Sequence, residues 1–333
     1  FMCGQNAENQ IHPALFEDDT PEPVEKFLDH FVHLNKLQDI TTSIATNDTL
    51  LALLNDGKVL QWGETLWNTL EDEENNIVVD EGQMFSSISS PFYRFSEENG
   101  LEDVIISRIS VGATFAVAID IRGNVYTWGY NDHGQLGLND REPRLEPTLV
   151  TFYDENNKKI KVFIKEVCAN GNNVVALDDK GRVYVWGECQ ALVGKEQRDR
   201  FGKVIGYENE GTDQLTPRWV KQVLDYYKVK KVSAGQCFNA ALTEEGSIYT
   251  WGTNLNGELG IGLQDDKKIL SSTVPRRVEY FVKEFEVLDI ECGKAHCIAL
   301  VRKKGTSQNL VFSWGSSSYG QGGHGDKGAR ILP

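Results

Sequence analysis

In the stretch VYTWGYNDHGQLGLND, residues 125–140, Asp132 and His133 stand side by side among glycines. A carboxylate next to an imidazole could relay a proton or ligate a metal, and glycines could let backbone N–H groups close on a phosphate. A phosphate loop, however, joins a strand to a helix, and the strand-to-helix context is missing around DHGQLGLND. His30 and His33, three apart in a segment with helical spacing, could share a metal; a solvated helix face is the plainer reading. The six histidines (His12, His30, His33, His133, His296 and His324) form no ligand set, and the chain contains no P-loop, no H-E-x-x-H and no G-x-S-x-G. Six cysteines (Cys3, Cys168, Cys189, Cys237, Cys292 and Cys297) include no C-x-x-C pair and read as buried thiols of a reducing compartment. The expectation is no catalytic set, no metal and no cofactor.

What positions these residues is a repeat. VLQWG at Val59, VYTWG at Val125, VYVWG at Val183, IYTWG at Ile248 and VFSWG at Val311 are one unit, and FMCG at the start looks like a sixth with Cys3 in the tryptophan place. The pairs Trp62-Gly63, Trp128-Gly129, Trp186-Gly187, Trp251-Gly252 and Trp314-Gly315 are its structural signature, with tryptophans 66, 58, 65 and 63 residues apart. Thr46, Gly112, Asn170 and Gly235 each lie 16 residues before their tryptophan; the copy from Gly293 is five residues longer. Fixed spacing within a copy and variable spacing between copies imply a rigid hairpin joined by tolerant loops. Each copy reads as an apolar strand, a glycine turn and a β-branched, aromatic strand. Runs such as VVAL and NAALT are apolar on both faces, which fits sheets stacked on sheets around an axis. After the tryptophan, three copies continue as Asn131-x-x-Gly134-Gln135-Leu136-Gly137, Asn254-x-x-Gly257-Glu258-Leu259-Gly260 and Ser317-x-x-Gly320-Gln321-Gly322-Gly323. Prolines 147, 217, 275 and 333 are expected just ahead of outer strands.

Trp-Gly followed by N-x-x-G-Q-L-G and preceded by A-G-x-x-H-x-x-A-L resembles the repeat of the regulator of chromosome condensation family, over nearly the whole chain. The resemblance implies an all-β, seven-bladed β-propeller of four-stranded blades, a single domain over 1–333. About six repeats are visible, so the chain is expected to begin and end inside a repeat. Three insertions interrupt the pattern: 14–38, whose apolar spacing predicts one short helix; the acidic 64–103; and 190–216, rich in charge and glycine.

The family's founding activity is nucleotide exchange on a small GTPase, with acidic and histidine residues in the A-G-x-x-H loops. Mapped residue by residue, only Asp48 and His296 keep that chemistry here, because Phe115 and Phe238 replace the histidine. The first reading is therefore a non-catalytic protein-interaction propeller, a scaffold or subunit of a larger assembly; the alternative is an exchange factor for a Ran-like or other small GTPase. Glu71, Asp72, Glu73 and Glu74 in one insertion and Arg198 and Arg200 in another are the candidate partner-binding residues.

Bulk properties narrow the partners. With 40% hydrophobic and 25% charged residues, the chain reads as a soluble folded protein. A net charge of −15 without a long basic run argues against direct nucleic-acid binding. Lys158, Lys159 and Lys161, or Lys228, Lys230 and Lys231, read as strand-edge and loop residues. No stretch approaches the ~20 apolar residues of a membrane span. Other proteins are the expected partners, inside the cell: cytoplasm first, with cilium, mitochondrion or nucleus as alternatives. The chain opens on Phe1, so a targeting segment leaves no trace to read.

Overall fold

A computed structural model describes residues 2–5, 27–32, 41–46, 49–54, 57–63, 93–94, 101, 104–188, 196–198, 204–207, 213–264 and 267–333. The chain divides into two compact units, 1–130 with 143–149, and 131–142 with 150–333.

The first unit holds β1 (Met2–Gln5), β2 (Phe27–Val32), β3 (Thr41–Thr46), β4 (Thr49–Leu54), β5 (Val59–Gly63), β6 (Tyr93–Arg94), β7 (Ile106–Val111), β8 (Phe115–Asp120), β9 (Val125–Gly129) and β10 (Arg144–Leu149). They form the antiparallel sheets β3-β4-β5-β6 and β7-β8-β9-β10 and the pair β1-β2. Leu51, Leu53 and Val59 pack against Ile106, Val111, Ala116, Ala118 and Trp128 of the next sheet, with Leu101 beside them.

Two expectations change here. Phe27–Val32, inside the segment 14–38 read as a helix, is a strand paired with β1. FLDHFV is half aromatic or β-branched, and pairing with a neighbouring strand overrides a helical spacing this short. His30 therefore lies on a strand, and His33 falls outside the described residues. The acidic insertion 64–103 is also not all loop, since its end supplies β6, which closes a four-stranded sheet, and Leu101, which is buried.

The second unit holds β11 (Phe152–Tyr153), β12 (Lys159–Ile160), β13 (Ile164–Asn170), β14 (Asn173–Asp178), β15 (Val183–Gly187), β16 (Glu196–Arg198), β17 (Val204–Tyr207), β18 (Gln214–Trp219), β19 (Val229–Ala234), β20 (Phe238–Thr243), β21 (Ile248–Thr253), β22 (Leu263–Gln264), β23 (Lys267–Lys268), β24 (Ser271–Arg277), β25 (Phe285–Cys292), β26 (His296–Lys303) and β27 (Asn309–Gly315). Sheets β13-β14-β15-β18, β19-β20-β21-β24 and β25-β26-β27 carry the tryptophan repeat, and β11-β12, β16-β17 and β22-β23 are small hairpins.

Strands β8, β14 and β20 are buried at all six positions. For β20 the reason is a sheet on either side. Ala241 packs with Val175, Leu177 and Val185 of one neighbouring sheet, while Phe238, Ala240 and Leu242 pack with Val287, Ala299 and Trp314 of the other. Side chains of a strand alternate between faces, so a middle strand with a sheet on each side is apolar through its centre, with hydrogen-bonded polar residues such as Asn173 and Asp178 at its ends. In β26 the burial alternates instead, leaving Ile298 and Leu300 38% and 36% exposed.

The glycine turns are built as the repeat requires. Asp120 Oδ1 accepts the backbone N–H groups of Arg122 and Asn124, and Asp178 Oδ1 those of Lys180 and Arg182. Gly123 and Gly181 between them adopt φ of 75° and 83°, where a Cβ is disfavoured. Pro147, Pro217 and Pro275 do not precede the outer strands; they lie inside β10, β18 and β24. Each coincides with a register shift against the inner neighbour. A proline removes an N–H from the free edge, which discourages pairing with another chain. Of the thiols read as buried, Cys297 is buried, whereas Cys168, Cys237 and Cys292 are half-buried.

Candidate functional site

The A-G-x-x-H turns link the two inner strands of each sheet, and their fourth residue decides what they can do. In β7-β8, Gly112 N–H donates to the Phe115 carbonyl at 2.9 Å, and the phenyl ring lies over the glycine so closely that a Cβ there would fall 1.8 Å from Cε1. In the second unit, Phe238 covers Gly235 in the same way, with a Cβ-to-ring distance of 1.9 Å. His296 covers Gly293 at 2.2 Å, its imidazole replacing the phenyl. Burial lowers the His296 pKa below its ordinary value, so the ring is held neutral. Asn173, the fourth residue of a further copy, is buried and donates Nδ2 to the carbonyls of Gly235 and Phe238, both at 3.2 Å, and to Asn239 Oδ1 at 2.9 Å. The turns of the second unit are therefore joined to one another by side-chain and backbone bonds, including Gln236 N–H to the Lys294 carbonyl at 3.0 Å. Asp48, the other residue mapped from the exchange chemistry, lies outside the described residues.

The glycine loops after the tryptophans form the second repeated constellation. Asn131 Oδ1 accepts the Leu136 N–H at 3.0 Å while its Nδ2 donates to the Asp140 carbonyl, and Gln135 Oε1 accepts the His133 N–H. Asn254 with Leu259 and Ile269, and Glu258 with Asn256, repeat these bonds. Each loop then docks on the tryptophan of a following sheet. Trp186 Nε1 donates to the Gln135 carbonyl at 2.9 Å, and Trp314 Nε1 to the Glu258 carbonyl at 2.8 Å. Asp132 and His133 have no catalytic partners in this setting. His133 Nδ1 lies 3.4 Å from Asp213 Oδ1, Arg141 Nη1 lies 2.5 Å from Asp213 Oδ2, and Arg141 also meets the Asp132 carbonyl. Together they tie residues 131–142 to the start of β18.

Among the tryptophans of the second unit, Trp251 differs. Its indole N–H is buried and has no hydrogen-bond partner among the described residues. The residues after Trp186 read GECQALVGKE, without the asparagine and glycines that shape the capping loop.

Glu71, Asp72, Glu73, Glu74 and Arg200 lie outside the described residues, and Arg198 is described only as the last backbone position of β16. Among the described residues, no three His, Cys, Asp or Glu side chains gather in a way that could hold a metal, and no helix is long and apolar enough to cross a membrane. Sequence reasoning passed over Asn173 as a linker between turns; the signal available was an amide standing where sister copies carry an aromatic ring.

The sequence matches the model of the Regulator of chromosome condensation (RCC1) repeat at residues 122–177 and 245–300, and a second model of the same repeat at 106–135 and 229–258. Both longer matches contain a capping glycine loop. Curated relatives include the E3 ubiquitin-protein ligase HERC2 of Homo sapiens, 29% identical over 80% of this chain and 5% of its own length. The ultraviolet-B receptor UVR8 of Arabidopsis thaliana is 27% identical over 87% and 56%, and the mitochondrial RCC1 domain-containing protein RUG3 of the same plant 33% identical over 69% and 45%. The chain thus spans little more than half of these relatives at most. Among solved structures, human WBSCR16 superposes with a TM-score of 0.69 at 20% identity, covering 99% of this chain and 74% of that one. Prp20p of Saccharomyces cerevisiae does so with a TM-score of 0.59 at 21% identity, covering 84% and 60%. The fold class is an all-β propeller.

Proposed function

We propose, for a chain that belongs to the regulator of chromosome condensation repeat family, that it is a non-catalytic protein-interaction propeller, a rigid support whose loops and insertions hold other proteins in a larger assembly. The family implies seven blades in one domain. One observation carries the reading: the turns in which exchange chemistry would reside are engaged in packing. Phe115, Phe238 and His296 cover glycines, and Asn173 bonds neighbouring turns. A side chain whose ring is fixed against its own backbone is poorly placed to reach a nucleotide-binding surface on another protein.

A binding role accords with two of the similar proteins. The yeast Prp20p structure concerns binding to Gsp1p and to histones, and UVR8 is a receptor. The exchange reading is the alternative, and His296 is the described residue that favours it. An exchange factor must bind the nucleotide-free GTPase better than the loaded one. The test is release of a fluorescent guanine nucleotide from a panel of small GTPases, with Asp48→Ala and His296→Ala as controls. We expect no acceleration on any member; acceleration abolished by either substitution would establish exchange and overturn the scaffold reading.

A further inference from the structure

Beside the outer strand β18, the β11-β12 hairpin and β15 enclose a cavity of about 580 Å³ whose lining includes Tyr153, Arg182, Tyr184, Thr216, Trp219 and Lys221. A volume of this size accommodates a side chain and the backbone carrying it. The Arg182 guanidinium lies 5.4 Å from the Trp219 ring centre and 5.8 Å from that of Tyr184, and Lys221 Nζ lies 5.3 Å from Trp219.

Building a blade does not require this cluster. Where β15 pairs Tyr184 with Trp219, β21 pairs Tyr249 with Arg277 and β9 pairs Tyr126 with Leu149. The residue before each strand is Arg182 here but Asn124 and Ser247 in those copies, and Lys221 corresponds to Thr151 and Glu279. The tyrosine is common to all three copies, its surroundings are not. Tyr249 stands against Tyr227, with ring centres 5.6 Å apart. Tyr184 is 1% exposed and its hydroxyl has no hydrogen-bond partner among the described residues. A buried unpaired hydroxyl is destabilising by ~1–3 kcal/mol, so its persistence calls for an explanation.

Two of the unused groups around this cavity are donors. Burial pushes the Tyr184 pKa up to about 12, so the phenol keeps its proton at neutral pH. Arg182 engages Nε with Asp178 Oδ2 at 2.6 Å, and its Nη groups have no protein partner among the described residues. The acids nearby are already occupied. Glu155 pairs with Lys221, Asp154 Oδ1 accepts the Asn156 and Lys158 N–H groups, and Asp178 Oδ1 those of Lys180 and Arg182. Neither the Arg182 Nη groups nor the Tyr184 hydroxyl meets an acceptor among the described residues, and guanidinium geometry favours a carboxylate.

We propose that this cavity is a docking pocket for an acidic side chain of a partner polypeptide, with Arg182 and Tyr184 as the recognising donors and Trp219 as the wall that excludes water. The inference deepens the protein-interaction reading and rests on it. A polypeptide rather than a free acid fits the position, because the lining comes from the edge strand β18 and from the exposed Tyr153.

The probe is a randomised peptide library with a fixed central glutamate, and its glutamine counterpart, read by fluorescence anisotropy on the intact chain. Glutamate peptides should bind at least about tenfold tighter than the glutamine set, and Arg182→Gln and Tyr184→Phe should each weaken them by about tenfold or more. Tyr184→Phe should melt no lower than the parent, because it removes only an unpaired group. Equal binding of the two libraries, or unchanged binding by both variants, overturns the pocket. So does displacement of the peptide by free glutarate at equal concentration, which would assign the site to small acids. Affinity recovery of native partners separates this from the wider reading: partners recovered equally by parent and Tyr184→Phe leave the scaffold standing without the pocket. A parent chain that recovers none overturns the scaffold itself.

Discussion

His296 carries the one histidine that the family pattern places in its turn, and the fold uses it as a flat group laid over Gly293, where Phe115 and Phe238 do the same work at Gly112 and Gly235. Its pKa is lowered by burial from the ordinary 6.5, so the unfolded chain takes up this proton more readily than the folded one. The stability that the neutral ring supports is fully present above about 6.5 and is lost as pH falls through the lower folded value. His296→Phe should keep the packing and remove this acid sensitivity: denaturant midpoints of parent and variant should agree at pH 8 and separate in favour of the variant at pH 5. An unchanged pH profile in the variant would show that the imidazole titrates without resistance from its surroundings.

At the level of the element, the unit that assembles is a tryptophan strand together with a glycine loop that docks on it. Trp186 and Trp314 each have their indole N–H satisfied by a loop carbonyl, whereas Trp251 meets none among the described residues. Substituting each by phenylalanine removes similar apolar area but a hydrogen bond only in the first two. Trp186→Phe and Trp314→Phe should therefore lose about 1 kcal/mol more than Trp251→Phe in urea unfolding. Equal losses in all three would mean that the loop carbonyls contribute no net stability. The glycine after the tryptophan is equally specific. Gly187 has φ 88°, and a Cβ would lie 2.0 Å from the Asn172 carbonyl oxygen; Gly305 has φ 76° with open space around it. Gly187→Ala should cost about 3 kcal/mol or more, and Gly305→Ala about 1 kcal/mol, the part due to the left-handed backbone alone.

At the level of the whole molecule, a net charge of −15 is carried on sheets whose centres are apolar and whose interruptions are polar. If the insertions bind partners, removing one should spare the fold. The boundary matters, because the acidic insertion ends in β6 and Leu101, which the first unit needs. Replacing residues 64–90 by a short Gly-Ser linker should leave the melting temperature within a few degrees of the parent while reducing the set of proteins recovered by affinity capture. Unchanged recovery would count against Glu71, Asp72, Glu73 and Glu74 as contacts.

The repeat, its hairpins and its buried middle strands were legible in the sequence, because a strand packed on both faces is apolar through its centre and a glycine turn needs residues of particular backbone freedom. Those are local demands, met within some twenty residues, and period alone reveals them. The helix expected within 14–38 fails at Phe27–Val32, since apolar spacing over a few residues does not record which strand lies alongside. Likewise Asp132 and His133 look like chemistry in one dimension, and the cluster around Asp213 that accounts for His133 comes from the far end of an insertion. The unpaired hydroxyl of Tyr184 is invisible in VYVWG, which matches its sister strands almost letter for letter. Only tertiary structure decides which identical tyrosine finds a partner, because that partner belongs to a different strand or loop in each copy.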